Sequence, residues 1–201
     1  LGAVRFHSQD FPEGVIKCGR IVRRASGWYL CLFINVEPNA IPITGNGQIG
    51  IDPGFIHLLT LSTGEKAEHP KELQKSLYRL GQAQRGHDLR LAARLQERSA
   101  NQRKDRNHKL SRRLVSENEL ICFSGDNLKG LSKKFGKSVA AAATGQLRQM
   151  LDYKCRAGGR QYVEVSNKNS TKTCSACGEL SGPTGLSGLA VREWRCDCGS
   201  L

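Results

Sequence analysis

The stretch Gln48-Ile-Gly-Ile-Asp-Pro-Gly54, with Phe55-Ile-His-Leu-Leu-Thr-Leu61 behind it, decides how the chain folds. A short apolar run rises to Asp52, Pro53 and Gly54 turn the chain, and a second apolar run returns. Apolar, β-rich segments separated by turn residues read as paired strands. Thr63-Gly64 marks the next turn. The result is a β-hairpin with a carboxylate near its head. A carboxylate at a strand end can face outwards at the edge of a sheet and hold a divalent metal. Asp-Pro-Gly is also an ordinary turn starter, so these residues alone leave both readings open.

Working outwards, Glu119–Ser124 and Gln161–Val165 are two further short strands. Between them, Ser138 is placed to cap a helix running through Ala140–Ala143, Leu147, Met150, Leu151 and Tyr153, which Gly158-Gly159 ends. Residues 70–117 are helical in composition. Leu73, Leu77 and Leu80 recur at helical spacing, as do Leu91 and Leu95, then Leu110 and Leu114, and Gly81 and Gly86 predict a break between two helices. An order of hairpin, helices, strand, helix, strand predicts an α/β fold, a mixed sheet with flanking helices. Upstream, Val15–Arg24 and Trp28–Val36 are strands joined by Ala25-Ser-Gly27, and residues 37–47 are a turn-rich linker. Residues 1–47 are therefore expected to be the end of a small β-barrel and its linker. The chain begins at Leu1 and stops soon after a cysteine pair, and is read as a piece of a longer protein.

The 201 residues carry 31 Lys and Arg against 18 Asp and Glu, a net charge of +13. Such an excess points to a polyanionic partner, because each neutralised phosphate releases condensed counterions. Between Lys71 and Arg113 there are thirteen positive residues and four negative ones. That one-sided sign makes the segment a candidate phosphate-tracking face, with Arg94, Arg98, Arg103, Lys104, Arg106 and Lys109 as its contacts. Lys133, Lys134 and Lys137 in a Gly-containing loop, and Lys172 further on, are candidates of the same kind. The loop lacks the Gly-Lys-Ser/Thr signature of a nucleotide-binding P-loop. No apolar run approaches the roughly 20 residues of a bilayer-spanning helix, so no membrane partner is expected.

Of eight cysteines, Cys18, Cys31, Cys122 and Cys155 are scattered among apolar residues and read as small buried hydrophobes. The other four are paired, Cys174-Ser-Ala-Cys177-Gly and Cys196-Asp-Cys198-Gly, with 18 residues between the pairs. Four thiolates satisfy tetrahedral Zn2+ in a closed, structural site, and a glycine after each pair lets the backbone turn back on the metal. The second pair is one residue tighter than the usual spacing. Val191 and Trp194 are expected to pack against it.

These segments together resemble one family. Ile49-Gly-Ile-Asp52-Pro-Gly, Lys104-Asp-Arg-Asn-His-Lys-Leu-Ser111, Asn127-Leu-Lys-Gly-Leu131, Ser170-Thr-Lys-Thr-Cys-Ser-Ala-Cys-Gly178 and Trp194-Arg-Cys196 follow the order and spacing of TnpB proteins. These are the accessory nucleases of bacterial insertion sequences, similar to the type V CRISPR effectors. The resemblance covers roughly residues 48–201. It implies an RNase H-like (RuvC) core over 48–169, the basic helical segment 70–117 within it, and a zinc-ribbon module over 170–201. It also implies an RNA-guided DNA endonuclease of the bacterial cytoplasm and nucleoid, with guide RNA and target DNA as partners and Mg2+ as catalytic cofactor.

Three carboxylates serve such a core in the family. Asp52 matches the first. The second, a Glu, falls at Ser124, and a hydroxyl cannot replace a metal-bridging carboxylate. Glu164, on the later strand where some relatives carry a relocated glutamate, is favoured as its substitute over Asp126. The third follows the last Cys-Gly pair in the family, and so lies past Leu201; Asp197, between two cysteines, is a poor replacement. The loss at Ser124 leaves a second reading, an RNA-guided DNA-binding protein that does not cut. A guide-independent junction resolvase ranks below both, since those enzymes generally lack the zinc insert.

Overall fold

The computed structural model describes residues 5–7, 10, 13–35, 41–54, 57–69, 71–125, 143–170, 172–188, 191 and 193–200. It divides into two compact units, Leu1–Phe123 with Asn127–Val163, and Ser124–Asp126 with Glu164–Leu201. In chain order the strands and helices are β1 (Val15–Arg24), β2 (Gly27–Asn35), β3 (Gly47–Pro53), β4 (Leu59–Leu61), β5 (Lys66–Ala67), α1 (Lys71–Arg85), α2 (Leu89–Glu117), β6 (Asn118–Gly125), α3 (Thr144–Ala157), β7 (Gln161–Ser166) and α4 (Gly185–Gly188).

The five-stranded sheet runs β5-β4-β3-β6-β7, so β3 is its middle strand. β3 pairs antiparallel with β4, Asp52 opposite Thr60, and parallel with β6, Ile51 opposite Phe123. A parallel pair needs a long crossover between its strands, and the α1–α2 hairpin supplies it. Ile49, Ile51, Leu59, Leu61, Ile121 and Phe123 of the sheet form one buried cluster with Leu114 and Val115 of α2 and Leu147, Leu151 and Cys155 of α3. The sheet is mixed, as expected. The returning strand is shorter than its apolar run, beginning only at Leu59, and Leu58 before it is buried in the same core cluster.

The helical break falls at Gly86, whereas Gly81 stays inside α1. α2 opens at Asp88, whose side chain accepts from the Leu91 amide at 2.9 Å. Ser76, Ala83 and Ser99, small buried residues, let α1 and α2 approach closely, and Ser76 donates to Gln102 at 3.1 Å. α3 is described from Thr144; the earlier part of the expected helix lies outside the described residues. Ala143 lies just before it with φ +51°, and its carbonyl accepts from the Asn107 amide and from the backbone of Gln146 and Leu147. The buried Asn107 of α2 thus anchors the residue before α3; Ser138 and Ala140 lie outside the described residues. Gly158 closes the helix and Gly159, at φ +65°, turns the chain into β7.

β1 and β2 form a separate two-stranded ladder ending in a tight turn at Ala25-Ser26. Glu97 of α2 accepts from the Ser26 amide at 2.9 Å and its hydroxyl at 2.7 Å, tying the turn to the helix. Of the four single cysteines only Cys155 is fully buried. Cys31 and Cys122 are half-buried; Cys18 is exposed on the β1–β2 hairpin, which no second layer covers among the described residues.

Burial pushes the Cys155 thiol up to about 11. At pH 8 an alkylating reagent should therefore label Cys18 in the native protein and Cys155 only after unfolding, read by peptide mass spectrometry. Leu151→Ala, which empties a fully buried site, should cost about 2–5 kcal/mol in denaturant unfolding.

Candidate metal centre and nucleic-acid interface

Cys174, Cys177, Cys196 and Cys198 come together in the second unit, all four sulfurs lying within 4.8 Å of one another. The Cys174–Cys198 and Cys177–Cys196 sulfurs are 3.6 Å apart. A disulfide would bring a pair to about 2 Å. A tetrahedron with Zn–S bonds of about 2.3 Å has edges of about 3.8 Å, so this donor set fits zinc closely.

The backbone explains how residues so far apart converge. Gly178 donates to the Cys174 carbonyl at 2.9 Å with φ +78°, and Gly199 donates to the Cys196 carbonyl at 2.8 Å with φ +90°. The two turns are equivalent although the second pair is one residue tighter. In each, the first cysteine amide donates onwards, Cys174 to Glu179 and Cys196 to Ser200. Amide groups of Cys177 and Ala176 aimed at Cys174 hold its thiol down to about 6, favouring the thiolate a metal requires. Ser181, which carries no sequence signal, brings its hydroxyl within 3.1 Å of the Cys196 sulfur. Trp194 lines a cavity with Cys174 and Cys196, whereas Val191 is 44 % exposed.

Asp52 stands exposed at the end of β3, between the buried Ile51 and Pro53. Strand alternation gives this directly: the neighbours enter the core and the carboxylate leaves it. Ile51 pairs with Phe123, one residue before Asp52 and Ser124 respectively. Glu164 is exposed on β7 between Val163 and Val165, each 43 % exposed. Asp52 belongs to the first unit and Glu164 to the second. Asp126 lies outside the described residues, as do Lys133, Lys134 and Lys137.

The basic residues of α2 divide by environment. Arg94, Arg98, Lys104 and Lys109 are exposed, although Lys109 is paired with Asp105 at 2.8 Å. Arg103 is half-buried, as is Arg106, which donates to Asn107 from two nitrogens. Burial, with the neighbouring Arg103 charge, lowers Arg106 to about 10, which leaves it protonated at neutral pH. Lys172, half-buried, lies in the second unit beside the cysteines.

The purified chain should hold one equivalent of zinc. Cobalt substitution should give thiolate charge-transfer absorption, and Cys174→Ser or Cys196→Ser should abolish tight binding, measured by metal analysis after dialysis.

Two family models match separate parts of the chain. The family model OrfB_IS605, described as "Probable transposase", matches residues 32–133, and "Cas12f1-like, TNB domain" matches residues 145–201. A Streptomyces pristinaespiralis protein named "Putative RNA-guided DNA endonuclease" is 36 % identical over 211 aligned positions, covering 96 % of this chain and 52 % of that protein. "Putative RNA-guided DNA endonuclease InsQ" of Escherichia coli (strain K12) is 24 % identical, covering 93 % and 54 %. The chain thus spans about half the length of these curated relatives. The Cas12f protein of a CRISPR-Cas12f ternary complex, solved by cryo-EM, shares the fold with TM-score 0.55 at 18 % identity, over 88 % of this chain and 40 % of that one. With one family model covering half of its residues, the chain belongs to the OrfB_IS605 probable transposase family, consistent with the TnpB resemblance of its motifs.

Proposed function

We propose that this chain is part of an RNA-guided DNA endonuclease whose RNase H-like (RuvC) core, residues 48–169, cuts target DNA by metal-dependent phosphodiester hydrolysis. The observation that carries this reading is the exposed carboxylate of Asp52 at the end of the middle strand of a mixed sheet. The names of the two bacterial relatives agree with it. In the strand order β6 lies between β3 and β7.

Asp52 and Glu164 would hold the divalent metal, Mg2+, for which hard carboxylate oxygens are suitable donors. When bound, Mg2+ supplies an activated water and stabilises the leaving oxygen of the scissile phosphate. The rigidity of β3, buried on either side of Asp52, keeps that carboxylate oriented. Arg94, Arg98, Arg103, Lys104, Arg106 and Lys109 of α2, with Lys133, Lys134, Lys137 and Lys172, would hold nucleic-acid backbone, while pairing of guide RNA with target DNA supplies the sequence specificity. The zinc module, residues 170–201, plays a structural part, since four sulfurs leave no open metal position. Residues 1–47 end a β-barrel domain. The whole would act on DNA in the bacterial cytoplasm, at the nucleoid. None of the described helices is long and apolar enough to cross a membrane.

Ser124 favours a second reading, RNA-guided DNA binding without cleavage, because the family's Glu is absent there. The full-length protein with its RNA, a matched DNA and Mg2+ separates the two. Asp52→Ala and Glu164→Gln should each reduce cleavage at least about 100-fold and leave target binding unchanged. Cutting that survives Glu164→Gln removes Glu164 from the site. A wild-type protein that binds but never cuts establishes the second reading.

A further inference from the structure

The tip of the β1–β2 hairpin and the first turns of α2 enclose an open cleft of about 650 Å³, lined by Arg23, Arg24, Leu89, Arg90, Ala93 and Arg94. All four arginines are exposed, and no acidic side chain lines the cleft. The two nearest acids by sequence hold other groups: Glu97 accepts from Ser26 while its charge also attracts Arg24, and Asp88 caps α2. Four like charges gathered in one concavity repel one another, so the arrangement favours an anionic occupant. Guanidinium groups match phosphate oxygens in a two-point geometry that ammonium groups do not.

The same hairpin carries exposed aromatic rings on both of its faces. Trp28 is 70 % exposed, with the Arg23 guanidinium 5.8 Å from its ring centre. Tyr29 and Phe33 carry Arg24 and Arg20 in the same way, at 5.2 and 5.1 Å. An arginine held over an aromatic face presents a flat, charged platform beside the cleft. Rings and guanidinium planes of this kind stack unpaired bases, while neighbouring cations neutralise the backbone.

We infer that this cleft binds an unpaired nucleotide of a single-stranded nucleic acid, its flanking phosphates between Arg23, Arg24, Arg90 and Arg94 and its base on the Trp28 platform. Within the proposed function, on which this assignment rests for the identity of its ligand, the strand is the guide RNA. A duplex fits poorly, because its bases are already stacked on one another.

The test is fluorescence anisotropy of the 201-residue chain with short single-stranded RNA, single-stranded DNA of the same sequence, and duplex DNA, across a salt series. Arg23→Ala combined with Arg94→Ala should flatten the dependence of log affinity on log salt by about 1.4 for single strands, two phosphate contacts being lost. The corresponding pair of Arg→Lys changes should restore that slope, which a folding defect would not allow. Trp28→Ala should weaken single-strand binding about tenfold with the slope unchanged. An unchanged slope in the alanine pair, an unaffected Trp28→Ala, or equal losses on duplex DNA each overturn the site. Losses on DNA strands alone keep the site and assign it to DNA. Cleavage by the full-length protein is scored separately. A protein that cuts while the alanine pair binds single strands normally refutes the cleft alone; one that never cuts while the slope falls as expected refutes the nuclease reading alone.

Discussion

The parallel pairing of β3 with β6, covered by the last turns of α2, is the constraint on which the rest of the first unit depends. Ile49, Ile51, Ile121 and Phe123 leave water only because Leu114 and Val115 close over them, with Leu147 and Leu151 of α3 beside. Each such side chain gains about 1.5–3 kcal/mol on burial, so this small cluster supplies much of the unit's cohesion. It also fixes chemistry. With Ile51 and Pro53 held in the core, alternation along the strand sends Asp52 outwards.

α2 links this core to the charged surface. Its 29 residues span about 44 Å. Asn107, Ser111, Leu114 and Val115, all buried, lie in its second half. Towards its N-terminus the helix buries only Ser99 and keeps its arginines in solvent, with Glu97 holding the hairpin turn. One helix thus roofs the sheet at one end and gathers positive charge at the other. Where α2 meets α3 the interface is polar: Lys154 donates to the His108 carbonyl and the Ser111 hydroxyl, both at 2.7 Å. Burial lowers the Lys154 pKa, and those two acceptors keep the ammonium solvated in place of water.

The second unit is organised on a different principle. Among its described residues the buried hydrophobic positions are Cys174 and Cys196, and its strand residue Val165 remains 43 % exposed. So small a module gains little from apolar burial and relies on sulfur ligation for its order. Its two backbone turns at Gly178 and Gly199 do what a hydrophobic core does elsewhere.

Residue types and spacing determined much of this by themselves. The strand runs around Asp52, Ile121 and Val163, the helical leucines, and the cysteine pairs with their following glycines are local patterns, and local patterns survive in sequence because period and turn chemistry act over a few residues. The zinc-type cluster was legible for the same reason, the first knuckle spanning Cys174–Gly178 and the second Cys196–Gly199. What only the tertiary structure decided came from contacts distant in the chain. Asn107 of α2 anchors the Ala143 carbonyl at the start of α3, thirty-six residues further along the chain. Cys18, apolar by context, stayed exposed on a hairpin that no described layer covers. Arg23 and Arg24, an unremarked pair before a turn, met Arg90 and Arg94 only because Glu97 holds Ser26 seventy-one residues away along the chain. Such meetings depend on packing geometry, which no short window of residues encodes.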